Sequence, residues 1–448
     1  MPDLELPAFL DADDHRKIKA VVQAALAAVD PEQAVRRVLR RDGNWLMIGD
    51  RQVDLDDVDR LLLVGVGKAA LAMGCAAVEV LGERLSGGVL ITKVINSELQ
   101  VRLPASITVL EGDHPVPGER SISATQRLLG CLSGLTERDL VIGLISGGGS
   151  ALLTWPVDGV TLEDMQTLTR QLLVSGATIN ELNAVRRRLD RVKGGGLARA
   201  AYPAAMYTLI LSDVIGSPLE VIASGPTVEP ADEGARPLEV LERYQLAREL
   251  QPGILRALTR EQNARDRSPD YLRTANYLVA SNETAARAAL AAGREQGFDS
   301  LLLTTYLEGE AREAGGILAG VLRQMAASGE PVRRPGLIVV GGETTVHVTG
   351  QGIGGRNLEV ALGAVEKMSG LQKAVLVTLA TDGEDGPTDA AGAVVTGETQ
   401  AQARAAGLSI QQALMENDSY TFFARLGGLI RTGSTGTNVN DLAFLISL

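Results

Sequence analysis

Apolar and polar positions along the chain follow two periods. Ile18, Val21, Val22, Ala25 and Val29 recur at helical spacing and predict a helix over 15–40. Apolar runs at 61–66, 88–92, 106–110, 140–145 and 205–212 show little alternation, as strands buried on both faces of a parallel sheet do. Helical patterns lie between them at 67–81, 120–132, 161–173 and 180–191. A second series places strands at 277–280, 300–304, 336–341 and 374–380, with helices at 282–295, 312–327 and 357–368. Short closing strands are expected at 429–431 and 442–446. Strand and helix alternating in this way predict an α/β fold whose sheets are mostly parallel. Polar, Pro-containing stretches at 226–237 and 262–270 suggest a domain change, and the division is placed at 1–240 and 241–448.

The apolar runs end in glycine. The strand at 140–145 runs into Ser146-Gly147-Gly148-Gly149-Ser150, where three residues without a Cβ leave backbone N–H groups open to an anion. Ligands of open α/β sheets bind at such strand ends, although a plain strand-to-turn connection reads equally well. The strand at 61–66 ends in Gly65-x-Gly67-x-x-Ala70, a relaxed dinucleotide fingerprint whose ribose acid is misplaced: Glu79 and Glu83 lie too near. Lys68 follows that turn and suits a point-charge contact to phosphate, or is simply an exposed lysine. The segment is not a Walker A loop, because Leu62 and Ala69 stand where Gly and Ser/Thr are required.

Composition narrows the class. With 448 residues, two domains are the prior. Apolar residues at 45% and charged residues at 22% are those of a soluble globular protein. A net charge of −12 argues against general nucleic-acid or anionic-membrane binding. The acidic N-terminal stretch does not resemble a secretory signal, and no apolar run is long enough to span a membrane. Cys75 and Cys131 read as isolated core thiols, which suits a reducing, cytoplasmic setting.

Further clusters carry candidate chemistry. His114, in EGDHPVPG, is read as a general base or, preferably, as a loop histidine with a structural hydrogen bond. The basic helix at 180–191, with Asn183, reads as a solvated face, and Lys193 stands beside a second glycine loop. Asp213 lies at a strand end, where it can hold magnesium or cap a turn. In the second half Glu343 precedes two glycine loops, and Arg356 opens a helix, where it either binds an anion or pairs with Glu359. Asp382, Glu384, Asp385 and Asp389 crowd one loop without EF-hand spacing.

Taken in order, VGVGKAA, GDHPVPG, SGGGSALL, NAVRRRLDRVKGGGLA, LSDVIG with IASGPT, GGETTV, GGRNLE, TDGEDGPTDAAGA and TGTNVND resemble the glycerate 2-kinase family, from about residue 15 to the end. The family most often has Gln after the Arg-Asn of GGRN; here it is Leu358. The resemblance implies a Rossmann-like N-terminal domain and a second α/β domain holding a MOFRL region at about 335–448, with the active site in the cleft between them. It also implies transfer of the ATP γ-phosphoryl group to the 2-hydroxyl of D-glycerate with Mg2+. Lys68 and Arg356 take the places of the family's active-site lysine and arginine, with Asp213 as a third catalytic candidate. Substrate or nucleotide contacts are expected from Gly67, His114, Ser146, Gly147, Gly148, Gly149, Ser150, Asn183, Lys193, Glu343 and Asp382, and metal contacts from Asp382 and Asp385. The expected partners are small molecules, with a homodimer allowed. The competing reading is an NAD(P)H-dependent hydroxypyruvate reductase using the fingerprint at 65–70.

Overall fold

The structure, a computed structural model, describes residues 4–7, 11–228, 236–259 and 273–448. Its contacts divide into two compact units, one of Pro31–Val279 and one of Met1–Asp30 with Ala280–Leu448. The expected division at 240/241 falls inside the first unit. Of the two stretches taken to mark it, 262–270 and residues 229–235 lie outside the described residues. No helix among the described residues is long and apolar enough to cross a membrane.

In the first unit a six-stranded sheet runs Ile107–Glu111, Leu85–Thr92, Leu61–Val66, Leu140–Ile145, Ala205–Leu211, Thr274–Ala280. The four successive pairings among its first five strands are parallel. All residues of Leu61–Val66 and Leu140–Ile145 are buried, as their unbroken apolar runs require. In chain order the strands stand 3-2-1-4-5-6, the doubly wound arrangement. The order reverses between Leu61–Val66 and Leu140–Ile145, and Val66 and Ile145 are register partners at their carboxyl ends. The segments that follow these two strands therefore leave the sheet side by side, at the position where ligands of such sheets bind.

The helix Ile179–Leu189 belongs to a satellite cluster. Thr178 and Glu181 form a capping box at its start. Leu182, Val185 and Leu189 pack with Leu168, Leu172, Leu241 and Leu258.

One helix over 15–40 does not form. Ala12–Ala28 is capped by Asp11, and Pro31 opens a separate helix, Pro31–Val38, because proline suits a first turn and not a helix interior. A three-stranded antiparallel sheet (Leu39–Asp42, Trp45–Ile48, Arg51–Asp54) follows, which the pattern did not predict. Ala12–Ala28 packs against Asn282–Glu295 in the second unit.

The sheet of the second unit corrects an expectation. Its order is Asp299–Leu307, Gly336–Gly342, Asp441–Ser447, Ala374–Ala380, Gly392–Thr396, Leu429–Ile430. One pairing is parallel and four are antiparallel, so the sheet is mixed rather than mostly parallel. The last strand does not close an edge. Asp441–Ser447 lies between Gly336–Gly342 and Ala374–Ala380, antiparallel to both and buried along its whole length.

Candidate active site

Gly65 near the end of Leu61–Val66 serves close approach to the neighbouring strand, and Gly67 after it serves close approach to the turn that follows Leu140–Ile145. A Cβ on Gly67 would stand 2.1 Å from Ser146 Oγ, and one on Gly65 2.7 Å from Leu90 Cδ2. The amides of the first turn are already engaged. Gly67 N–H donates to the Ile91 carbonyl, Lys68 N–H to that of Gly147, and Ala69 N–H to Ser146 Oγ. A dinucleotide pyrophosphate would need that approach and those donors. The fingerprint at 65–70 is thus accounted for by packing. In contrast, the N–H groups of Gly147 and Gly148 donate to no group among the described residues.

Around those two amides the sheet assembles three titratable side chains. A Cβ on Gly147 would fall 2.0 Å from Asp213 Oδ2, so the Asp213 carboxylate fills the space a side chain would need. A Cβ on Gly148 would lie 3.0 Å from His114 Cδ2 and 3.5 Å from Lys68 Cγ. Gly148 itself has a left-handed φ of 84°, which glycine adopts without strain. Lys68 is exposed, and among the described residues its ammonium has no hydrogen bond or ion pair. Burial pushes the Asp213 carboxyl above its ordinary range, and the charge of Lys68 partly opposes this. Burial, then the charges of Lys68 and Lys93, push His114 down, which favours a neutral ring at pH 7.

The preferred structural hydrogen bond of His114 is absent: its buried Nδ1 has no partner among the described residues. Lys93, one residue past Leu85–Thr92, was not anticipated; its only sequence signal is a cation just after a strand.

Behind the loop, Ser150 Oγ lies 2.9 Å from Ser224 Oγ, which donates to Asn183 Oδ1 at 3.0 Å. Ala223, Ser224 and Gly225 all have left-handed φ, at 52°, 64° and 63°. Such strain in non-glycine residues persists where the surroundings enforce it. Ala223 fills the space beside Gly149, where a Cβ would stand 2.7 Å from its own. Lys193, expected to contact a ligand, has its donors taken up within the chain. Its buried ammonium donates to Asp190 Oδ2 (2.6 Å), the Leu153 carbonyl (2.9 Å) and Thr154 Oγ1 (3.1 Å), using all three protons. It braces the end of the glycine segment.

In the second unit Arg356 opens the helix Arg356–Met368. Its Nε and Nη2 grip Asp441 as a fork, and Nη1 donates to Glu343 Oε1 at 2.8 Å. The alternative pairing with Glu359 does not occur, because Glu359 is taken by Arg312. Asp441 went unassigned from sequence; only an acid opening an apolar strand hints at it. Burial raises both the Asp441 and the Asp385 carboxyl to about 6. Asp385, expected to hold a metal, caps a helix. Its two oxygens accept from the amides of Asn357 (3.0 Å) and Leu358 (2.8 Å) in the first helical turn. The Leu358 side chain is buried in the core. Asp382 is half-buried and accepts from the Glu384 amide at 3.2 Å. Among the described residues no three His, Cys, Asp or Glu converge as a metal site.

With this geometry in place, the relatives are informative. Residues 17–259 match the model for a domain of unknown function, DUF4147, and 336–441 match the MOFRL family. A D-glycerate 2-kinase of Thermotoga maritima is 40% identical, over 94% of this chain and 95% of its own. The chain belongs to the glycerate 2-kinase family. The human glycerate kinase is 37% identical over 95% of this chain and 92% of its own. A crystal structure of glycerate kinase from Thermotoga maritima superposes with a TM-score of 0.86, at 39% identity over 97% of this chain and 99% of that one. Another relative, from Agrobacterium vitis, is named a putative hydroxypyruvate reductase; it is 37% identical over 97% of this chain and 95% of its own.

The fit at Gly147 makes a prediction. Its φ is not left-handed, so Gly147→Ala strains no backbone, but the new methyl must displace the Asp213 carboxylate. A displacement of that size is expected to lower kcat about 100-fold with little change in melting temperature. Wild-type kcat in the variant would show that the carboxylate is not needed at that position.

Proposed function

We propose that this chain transfers the γ-phosphoryl group of ATP to the 2-hydroxyl of D-glycerate, releasing ADP and 2-phosphoglycerate. The observation that carries the reading is the Lys68 side chain, unpaired among the described residues, beside Gly148, with its charge acting on the Asp213 carboxyl and the Gly147 and Gly148 amides donating to no described group. Phosphoryl transfer needs positioning and charge neutralisation more than covalent chemistry. In this reading Lys68 and the Gly147 and Gly148 amides hold phosphoryl oxygens. Asp213, with its raised pKa, takes the proton of the 2-hydroxyl as that oxygen bonds to phosphorus and the bond to the ADP oxygen breaks. His114, kept neutral, offers a ring nitrogen without adding charge.

Magnesium reaches kinases largely on the phosphates, with one or two protein carboxylates. The proposed substrate is therefore the magnesium complex of ATP, with Asp382 as the carboxylate whose side chain is only partly engaged. Arg356 is proposed to serve the same reaction with its guanidinium. A cytoplasmic, reducing setting suits the two free thiols, Cys75 and Cys131.

The engaged amides at 67–69 count against the reductase reading. One experiment separates the two: ADP release with glycerate and ATP, against loss of NADH absorbance with hydroxypyruvate. ADP release without NADH oxidation is expected; the reverse result overturns the kinase proposal.

A further inference from the structure

The helix Ile179–Leu189 carries three consecutive arginines near its end. Asn183, Arg186 and Arg187 are spaced three and four residues apart and so share one face. That face is tied to the glycine segment, because Asn183 is the acceptor at the end of the Ser150–Ser224 hydrogen-bond chain. Arg187 has a structural place there. Its stem packs on Gly194, where a Cβ would lie 3.0 Å from Arg187 Cδ, and its Nη1 donates to the Glu220 carbonyl at 3.4 Å.

Arg186 has no such place. It is half-buried, yet among the described residues its guanidinium makes no hydrogen bond and no ion pair. Burial lowers its pKa and no carboxylate opposes the shift. The charge it does meet is a like one, since Arg186 also acts on Lys193 to lower that ammonium's pKa. Lys193 already has Asp190, Leu153 and Thr154 as acceptors; Arg186 has none among the described residues. Its five N–H donors, which keep access to solvent, have no protein acceptor among the described residues in the unliganded chain. An oxyanion entering from the glycine segment would supply the missing acceptors.

Resting on the kinase reading above, we propose that Arg186 is a specificity-determining residue that binds the C1 carboxylate of the 2-hydroxy acid. The planar guanidinium meets a carboxylate through two parallel hydrogen bonds. A phosphoryl group has the same chemistry. The carboxylate is the assignment because Lys68 and the free amides flank Gly147 and Gly148, whereas Arg186 belongs to the Ser150–Ser224–Asn183 flank. A neutral three-carbon alcohol such as glycerol lacks the group Arg186 needs.

The test is Arg186→Gln, with Arg188→Gln as a control that removes the same charge from the same helix. For Arg186→Gln the KM for glycerate should rise roughly 10- to 100-fold while the KM for ATP stays unchanged. The melting temperature of the unliganded variant should equal or exceed that of the wild type, because an unpaired half-buried charge has been removed. Arg188→Gln should leave both KM values alone. A rise in the KM for ATP instead would place a nucleotide phosphate at Arg186 and overturn the carboxylate assignment. A lower melting temperature with unchanged KM values would make Arg186 structural and also overturn it. Failure of the kinase reading is visible separately, as absence of ADP release by the wild type. In that event melting with and without D-glycerate still decides. Stabilisation of the wild type but not of Arg186→Gln supports the site, and no stabilisation of the wild type overturns it.

Discussion

Lys68→Ala is expected to lower kcat roughly 10²- to 10³-fold, the range for removing one preorganised charge-stabilising donor, while leaving the melting temperature unchanged. Turnover falls because the Lys68 side chain stands beside Gly148 with its cation unpaired among the described residues. The fold survives because Lys68 is exposed and its side chain holds no hydrogen bond or ion pair among the described residues. A second readout ties the loss to the site. The charge of Lys68 holds the Asp213 pKa down against burial, so its removal lets that pKa rise further. If Asp213 accepts the hydroxyl proton, the acidic limb of the residual pH–rate profile moves to higher pH in the variant. Near wild-type turnover would remove Lys68 from the mechanism. Reduced turnover with an unmoved acidic limb would leave Lys68 in place and remove Asp213 as the base.

Arg356→Lys is expected to lose about 2 kcal/mol or more of transition-state stabilisation in kcat/KM. Lysine keeps the charge but not the fork. Arg356 spends that fork on Asp441 and a third donor on Glu343, and one ammonium cannot reproduce the arrangement. A fall in melting temperature should accompany the kinetic loss, because Asp441 is buried and loses a two-point partner. The two effects are separable. A lower melting temperature with kcat/KM largely retained would make Arg356 a structural clamp on Asp441 and end its proposed part in the reaction. Steady-state kinetics and a melting curve on the same preparation decide the point.

Much of this was legible in the chain because it is local. Unbroken apolar runs show strands covered on both faces, and glycines after them show close approach. From these the strands Leu61–Val66 and Leu140–Ile145 follow, along with the segment Ser146–Ser150 and the positions of Lys68 and Asp213 at strand ends. Break points were less legible where one residue type has two meanings. Pro31 lies inside an apolar helical pattern, and only its role as a helix start separates Ala12–Ala28 from Pro31–Val38.

What a charged side chain does depends on what lies opposite, and its partner often stands far along the chain. Lys193 and Asp385 looked like ligand contacts because a cation beside glycines and an acid in a polar loop suit that role. Leu153 and Thr154 take up the first, and the amides opening Arg356–Met368 take up the second. Arg186 is the converse: a basic helical run reads as solvated, and only packing reveals a half-buried guanidinium with no protein acceptor among the described residues. Sheet order is decided in the same way. Asp441–Ser447 has the pattern of a buried strand, but its place between Gly336–Gly342 and Ala374–Ala380 depends on hydrogen-bond partners that no periodicity encodes. By itself the sequence determined which segments form strands and helices, and where bare backbone and single charges fall, because residue spacing sets those. The tertiary structure alone decided strand order, and whether each charge is paired, capped or left for a ligand, because burial and pairing are set by residues distant in the chain.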